Sequence, residues 1–269
     1  MSLLLQVSDT HFGTERTGVV EDLVALCAAR KPDVLVLSGD ITQRARRGQY
    51  EAAARFWERM RAPARLVIPG NHDIALFDVF SRIFHPYRLQ RRWFGEDLEP
   101  VVDTPAMLVQ GVNTTRRYRH KHGEVSKAQI ERVASRLRAA APGQLRVVVT
   151  HQPVDVPGPG DANNLLRGHA GAVPAWVDAG VDVVMGGHIH LPFIRSLSER
   201  FPGLSRRAWC VQAGTAVSRR VRGNVPNSVN FIEHEPESGR AFAERWDHAE
   251  GRGFAPVLRV ELDLDRSSG

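Results

Sequence analysis

Five short apolar runs, each ending in residues able to bind a cation, constrain this chain more than any other feature. Residues 3–7 lead into Ser8-Asp9-Thr10-His11, 34–37 into Ser38-Gly39-Asp40, and 66–68 into Pro69-Gly70-Asn71-His72-Asp73. Residues 147–149 are followed by Thr150-His151, and 181–185 by Gly186-Gly187-His188-Ile189-His190. Runs this short, rich in Val, Leu and Ile and bounded by Gly, Pro or polar residues, read as strands buried on both faces. In open α/β sheets, sites form in the crevice beyond the carboxyl ends of the strands, so these groups are predicted to converge in space. Gly39, Gly70, Gly186 and Gly187 would let the backbone turn sharply there and approach an ion closely.

The segments between the runs carry helical periodicity. Val19, Val20, Leu23, Leu26 and Cys27 share one helix face, as do Tyr50, Ala53, Ala54 and Trp57. Ser126 and Gln129 form a capping-box pattern ahead of Ile130, Val133 and Leu137, which predicts a third helix starting at Ser126. Alternation of this kind argues for an α/β core with a largely parallel sheet. After about residue 191 the signals change to strands and turns, at 208–212, 229–233, 241–246 and 257–264. These are expected to form a second, mainly antiparallel sheet packed on the first. No repeat or long linker interrupts the pattern, so 1–269 reads as one domain, with a motif-bearing core over 3–191 and a mainly β portion over 192–269.

Composition narrows the class. The leucines at positions 3–5 are followed at once by polar residues, and no run approaches the length of a membrane span or a signal segment. Cys27 and Cys210 are far apart and lack metal-type spacing, which predicts packed thiols and a reducing, cytoplasmic setting. The net charge of +6 is carried almost wholly by arginine, with lysine only at Lys31, Lys121 and Lys127. This balance suits an anionic partner and leaves nucleic acid open without itself being evidence for it.

Imidazole, carboxylate and amide oxygen together, without thiolate, suit Mn, Fe, Zn or Co and not a structural cysteine-zinc cage. Asp9, His11, Asp40, Asn71, His151, His188 and His190 exceed what one cation usually takes from protein. Two divalent metal ions are the economical solution. Held roughly 3.5–4 Å apart, they would share a carboxylate and acidify a bridging water into a hydroxide nucleophile.

The ordered set Asp9-Thr10-His11, Gly39-Asp40, Gly70-Asn71-His72-Asp73, His151 and Gly187-His188-Ile189-His190 resembles the calcineurin-like metallophosphoesterase superfamily. The resemblance covers roughly residues 3–191. It implies an α/β fold, a four-layer α-β-β-α sandwich of two mixed β-sheets flanked by helices. It also implies that Asp9, His11 and His190 bind the first metal, Asn71, His151 and His188 the second, and that Asp40 bridges them. His72 would be catalytic and no ligand, meeting the phosphate beside Asn71, where it stabilises developing charge or protonates the leaving oxygen. The activity implied is that of a metal-dependent phosphoric ester hydrolase acting on a small anionic phosphoester. A phosphodiester is favoured over a monoester, with a cyclic mononucleotide as the leading family-based substrate, cleaved by in-line attack of a metal-bridging hydroxide.

Finer motifs separate the relatives. Purple acid phosphatases carry Tyr three residues after the bridging Asp, where this chain has Gln43. Ser/Thr protein phosphatases carry Gly-Asp-x-x-Asp-Arg-Gly and Gly-Asn-His-Glu, in contrast to Gly39-Asp40-Ile41-Thr42-Gln43-Arg44-Ala45 and Gly70-Asn71-His72-Asp73. The pattern is most similar to the bacterial class III cyclic-nucleotide phosphodiesterases, although these commonly have an acidic residue at the position of Gln43. A metallo-nuclease is the second enzymatic reading, supported by basic charge but without the long coiled-coil or capping regions of that branch. A protein-binding scaffold that has lost its metals is the non-enzymatic reading, opposed by retention of every ligand and of His72.

Other residues carry weaker expectations. Asp73 either orients His72 or caps a helix starting near Ile74. His85, His120, His122, His169, His234 and His248 read as surface or packing residues, and Phe77, Phe80, Phe84, Tyr87, Trp93 and Phe94 as core or cap packing. The loop at 113–124 holds Arg116 and Arg117, candidate substrate contacts on a phosphate-steering rim, with a solvated basic loop as the plainer reading. Residues 153–169, directly after His151 and rich in Pro, Gly and Asn, read as a functional rim or lid. Arg219, Arg220 and Arg222 are further anion-binding candidates whose position the motifs do not define, and a homodimer through the C-terminal strands stays open.

Overall fold

The computed structural model describes residues 1–76 and 78–265. In chain order the elements are β1 (Ser2–Val7), α1 (Thr17–Arg30), β2 (Val34–Ser38), α2 (Arg47–Arg59), β3 (Ala64–Ile68), α3 (Val79–Phe84), α4 (Arg88–Phe94), β4 (Val101–Asp103) and β5 (Met107–Gly111). Next come α5 (Lys127–Arg138), β6 (Leu145–Val149), α6 (His169–Asp178), β7 (Val183–Gly186), β8 (Phe193–Ser196), β9 (Trp209–Gln212), β10 (Ser228–Glu235), β11 (Arg240–Ala249) and β12 (Gly253–Leu262).

Two six-stranded sheets pack face to face, in the orders β12-β11-β10-β1-β2-β3 and β4-β5-β6-β7-β9-β8. Alternation along each strand shows why four layers form. Leu3, Leu5 and Val7 of β1 join Leu35 and Leu37 of β2 against α1 and α2, in a cluster with Val19, Leu23, Phe56 and Trp57. Leu4, Val34, Val36, Leu66 and Ile68 face the other way and meet Met107, Val109, Val147, Val149, Val183 and Met185 of the second sheet. On that sheet's outer face Val148, Val184 and Cys210 pack against Val133, Leu137, Val173 and Trp176 of α5 and α6. The strands therefore lack polar alternation because both faces are covered, at about 1.5–3 kcal/mol for each fully buried aliphatic side chain. This is the α/β, four-layer α-β-β-α sandwich of two mixed sheets that the motifs led us to expect.

The helix signals hold locally. α1 ends at Lys31, which takes φ 48° and donates its N–H to Cys27 O before Pro32 stops the chain. α5 starts with the expected capping box, Ser126 accepting from Gln129 N and Gln129 from Ser126 N.

The expectation of a separate antiparallel C-terminal sheet is corrected. β10, β11 and β12 extend the first sheet, with β10 pairing antiparallel to β1, whereas β9 joins the second sheet parallel to β7. The parallel strands are divided between the sheets as well: β1-β2-β3 lie in one, and β5-β6-β7-β9 in the other. A strand paired only on one edge leaves a row of amides and carbonyls to satisfy, and β10 and β9 are the strands that continue each ladder.

The aromatic set divides too. Phe94 packs on the α1–α2 core, while Phe80 and Phe84 stack on each other at 4.8 Å on exposed positions of α3; Phe77 lies outside the described residues. Among the described residues, no helix is long and apolar enough to cross a membrane.

Candidate metal centre

The carboxyl ends of β1, β2, β3, β6 and β7 meet at one edge of the sandwich. A buried polar clasp holds the two sheets together just beneath them. Gln6 donates from Nε2 to Ser38 Oγ at 3.1 Å and to Gly186 O at 3.0 Å, and accepts at Oε1 from Asn230 Nδ2 at 2.9 Å. Asn230 also donates to Gln212 O at 3.2 Å, and Gln212 to Gly187 O. A glutamine inside the apolar run 3–7 was the one sequence signal of this clasp.

Above it the loops interlock. Asp9 N donates to Gly39 O, His11 N to Asp40 O and Phe12 N to Ile41 O, at 3.1, 2.9 and 2.8 Å. Asp9, His11, Asp40, His188 and His190 all take positive φ, from 42° to 72°. Left-handed backbone is uncommon outside glycine, and here it recurs at alternate positions, 9 and 11 and again 188 and 190, where polar side chains gather. Gly70 is required where it stands, because a Cβ there would strike the backbone N and carboxylate of Asp40.

The result is two clusters sharing one aspartate. Ligand atoms of Asp9, His11, Asp40 and His190 lie within 4.8 Å of one another, as do those of Asp40, His151 and His188. His190 Nε2 is 3.2 Å from Asp9 Oδ1, His11 Nε2 is 3.6 Å from Asp40 Oδ2, and His151 Nε2 is 3.2 Å from Asp40 Oδ1. His11 and His190 bring their Nε2 atoms within 3.0 Å of each other. Asn71 sits on the single 3-10 turn Asn71–Asp73 after β3, with Gln152 Nε2 3.5 Å from its Oδ1.

Supporting contacts set the ring tautomers. His151 Nδ1 lies 2.9 Å from Ser38 O, and His190 Nδ1 lies against Arg220 O. Each carbonyl requires an Nδ1–H, which leaves the Nε2 lone pair available to a cation lying between it and the carboxylates. Asp9 accepts from Ser8 Oγ at 2.6 Å and from His188 N at 3.0 Å.

The electrostatics match cation binding. Burial opposes ionisation of Asp9, but the charge and hydrogen bond of His190 bring it down to about 2. Burial likewise opposes Asp40, and the charges of His151 and His72 hold it well below the usual carboxylate range. His11 is pushed down to about 3 by burial, against the attraction of Asp40 and Asp9, and His188 to about 3 by burial and the charge of His151. His151 goes up to about 9: its burial is outweighed by Asp40. Both ring nitrogens of His188 and Nε2 of His151 are buried without a hydrogen-bond partner among the described residues. Buried polar atoms are normally paired, and two ionised carboxylates facing unsatisfied imidazole nitrogens fit divalent cations at these positions.

His72 stands apart from the ligand set. Its backbone N donates to Asp40 Oδ1 at 2.8 Å, its Nδ1 lies 2.8 Å from Gln43 O, and its ring meets that of His11 edge-on with centroids 4.8 Å apart. Arg220 Nη1 lies 3.2 Å from His72 Nε2, 3.1 Å from Gln43 Oε1 and 3.5 Å from His11 Nδ1. Of the three arginines left unplaced by the motifs, this one reaches the centre. No local signal distinguishes it, because it arrives on a loop held by Asn227 donating to Ser218 O and Thr215 O. Arg222 instead forms a two-pronged pair with Asp161, and Arg219 N bonds Thr14 O.

Other expectations change. Asp73 neither orients the His72 ring nor caps a helix at Ile74. Its carboxylate accepts from Gly70 N, Ile41 N, Thr42 N and Thr42 Oγ1 at 2.8–3.0 Å, tying the β3 loop to the β2 loop, and the next helix is α3, capped by Asp78. Burial and the charge of Asp40 raise Asp73 to about 6, against these donors. Arg116 is bound to Asn113 O and Thr115 O of its own loop and to Gln129 Oε1 of α5, and Arg117 to Ile83 O. Neither guanidinium joins the His72 group. The 153–169 stretch is pinned at Asp155 by Arg200 and at Asp161 by Arg222. His120 is exposed, as read, and borders a crevice with His72, Asn71 and Gln43.

Fold and site together suit a metal-dependent phosphoester hydrolase, with two candidate clusters for cations. The family model for calcineurin-like phosphoesterases matches residues 3–192, and the chain belongs to that family. It is 36% identical over 84 residues to a glycerophosphodiester phosphodiesterase, GpdQ, of Enterobacter lignolyticus (strain SCF1), a match covering 26% of this chain and 29% of that relative. Its fold is similar to that of a dimetal phosphatase from Danio rerio, with TM-score 0.66, 12% identity and coverage of 98% and 99% of the two chains. A Vps29 single mutant from Entamoeba histolytica shares the fold at TM-score 0.52 and 11% identity, covering 97% and 99%.

Proposed function

We propose that this protein is a phosphodiesterase working with two divalent cations. The observation that carries the reading is the convergence of ionised, buried Asp9 and Asp40 with the imidazoles of His11, His151, His188 and His190, with half-buried His72 and Arg220 beside them. Asp9, His11 and His190 would hold one cation, Asn71, His151 and His188 the other, and Asp40 both. Mn, Fe or Zn suits this donor set. When bound, such a pair supplies an acidified water and neutralises charge on the phosphoryl oxygens.

The chain's own groups do the rest. Gln43 O holds a proton on His72 Nδ1, so Nε2 is the atom that exchanges a proton with the leaving oxygen. Arg220 offers N–H donors at the same place, and Gln43, being neutral, leaves the guanidinium charge available to an anion. Asn71, on the same turn as His72, contributes an amide beside the phosphoryl group. A phosphodiester is favoured by the motif likeness to cyclic-nucleotide phosphodiesterases and by the partial likeness to the glycerophosphodiester enzyme. A cyclic mononucleotide is the leading substrate.

With Mn²⁺ the purified protein is expected to hydrolyse bis-p-nitrophenyl phosphate, and chelation to abolish the reaction; turnover that persists after complete metal removal would overturn the mechanism. Cyclic nucleotides, glycerophosphodiesters, nucleoside diphosphate conjugates and single-stranded DNA, run in competition, identify the substrate class. His72→Ala should retain both metals by elemental analysis while losing about 10²–10⁴-fold in kcat, the usual worth of a proton-transfer group. Arg220→Ala should cost about 10²-fold in kcat/KM, the scale of one charge-stabilising donor; a loss below about twofold would remove it from the mechanism.

A further inference from the structure

Beside the crevice that contains His72, a second cavity of about 490 Å³ opens between the loop before α2 and the α3–α4 segment. Arg44 and Leu76 line both spaces. The larger one is walled by Arg46 and Arg47 at the start of α2 and by Arg88 and Arg92 of α4. The loop carrying the first two is fixed, because Gln49 Oε1 accepts from both Arg44 N and Arg46 N.

Two carboxylates also line this cavity. Asp73 is held by its backbone donors, and Asp78 by Ser81 N and Oγ at 2.9 and 2.6 Å, with Arg88 near enough to attract it. Among the described residues, no carboxylate forms an ion pair with Arg46, Arg47, Arg88 or Arg92. Elsewhere on the molecule several arginines are matched, as Arg59 is with Glu21, Arg132 with Glu99, Arg222 with Asp161 and Arg240 with Glu261. Guanidinium groups that outnumber the carboxylates around a concavity favour an anion among them, and their planar donor forks suit phosphate oxygens.

We propose that this cavity is a subsite for a second phosphate group on the substrate, next to the scissile phosphodiester; the proposal rests on the phosphodiesterase reading above. The substrate class is then a phosphodiester with a further phosphate on one of its alcohols, of nucleotide or of polyol origin.

Two matched pairs test this with Mn²⁺-loaded protein: the thymidine dinucleotide with and without a 5′-phosphate, and glycerophosphoglycerol with and without a terminal phosphate. At least one phosphorylated member should exceed its partner about tenfold in kcat/KM at low salt, shrinking as salt screens the exposed arginines. The preferred pair tells a nucleotide source from a polyol source. In Arg46→Ser/Arg88→Ser/Arg92→Ser the ratio should fall to about one. A ratio near one in both pairs for the unaltered protein, or a preference that survives the triple substitution, would overturn the subsite. Calorimetry with α,ω-alkanedisulfonates against matched monosulfonates reads it without turnover: the disulfonate should bind about tenfold tighter, and only while the three arginines are present. If none of the esters is hydrolysed, the phosphodiesterase reading fails, and the sulfonate titration decides the subsite alone.

Discussion

Asp40→Asn should leave the protein with fewer than two bound cations by elemental analysis and lower hydrolysis of bis-p-nitrophenyl phosphate by at least about 10³-fold. Asp40 is the one residue common to both ligand clusters. Its oxygens lie 3.6 Å from His11 Nε2 and 3.2 Å from His151 Nε2. The amide removes the negative charge that would bring both cations together, and a site relying on two cations for charge neutralisation would lose much of its transition-state stabilisation with them. The peptide geometry is not at risk, because Asn accommodates the left-handed backbone Asp40 adopts at φ 47°. Two tightly held metals in Asp40→Asn would reject Asp40 as the shared ligand.

Asp73→Ala is expected to lower stability by about 3 kcal/mol or more, although Asp73 is no proposed ligand. Its buried carboxylate takes up three backbone N–H groups and the Thr42 hydroxyl, and a buried donor left unpaired costs about 1–3 kcal/mol. Some of that cost is returned by water entering the space and by relief of the repulsion between Asp73 and Asp40. In a domain of this size the loss corresponds to a fall in Tm of about 6–12 °C. Asp73→Asn, which keeps one acceptor oxygen, should fall in between. Calorimetric melting of the metal-loaded proteins checks both. A shift of less than about 2 °C for Asp73→Ala would show that Asp73 is not the strut between the β2 and β3 loops.

Much of the candidate centre was readable because each of its parts is local. A strand buried on both faces shows in its own residues, as in SLLLQV at 2–7, and chain continuity places the residues directly after it at the sheet edge. Where a strand finds its partner is a non-local matter. Nothing within WCVQ at 209–212 or SVNFIEHE at 228–235 says that the first runs parallel to β7 and the second antiparallel to β1. The expected second antiparallel sheet failed for that reason. Asp73 shows the same limit at one residue, since its donors Ile41 and Thr42 lie more than thirty positions away.

The sequence by itself determined the class of chemistry. Asp9, His11, Asp40, Asn71, His151, His188 and His190 are adjacent to strands that had to be buried, and their donor types suit divalent cations. Only the tertiary structure decided what surrounds those groups. It brought Arg220 to His72, drew Arg116 and Arg117 away into contacts of their own, and gathered Arg46, Arg47, Arg88 and Arg92 around one cavity. Ligand identity comes from chemistry carried by each residue, whereas the reach of a long cationic side chain depends on how loops distant in sequence pack and on which acceptors they leave within range.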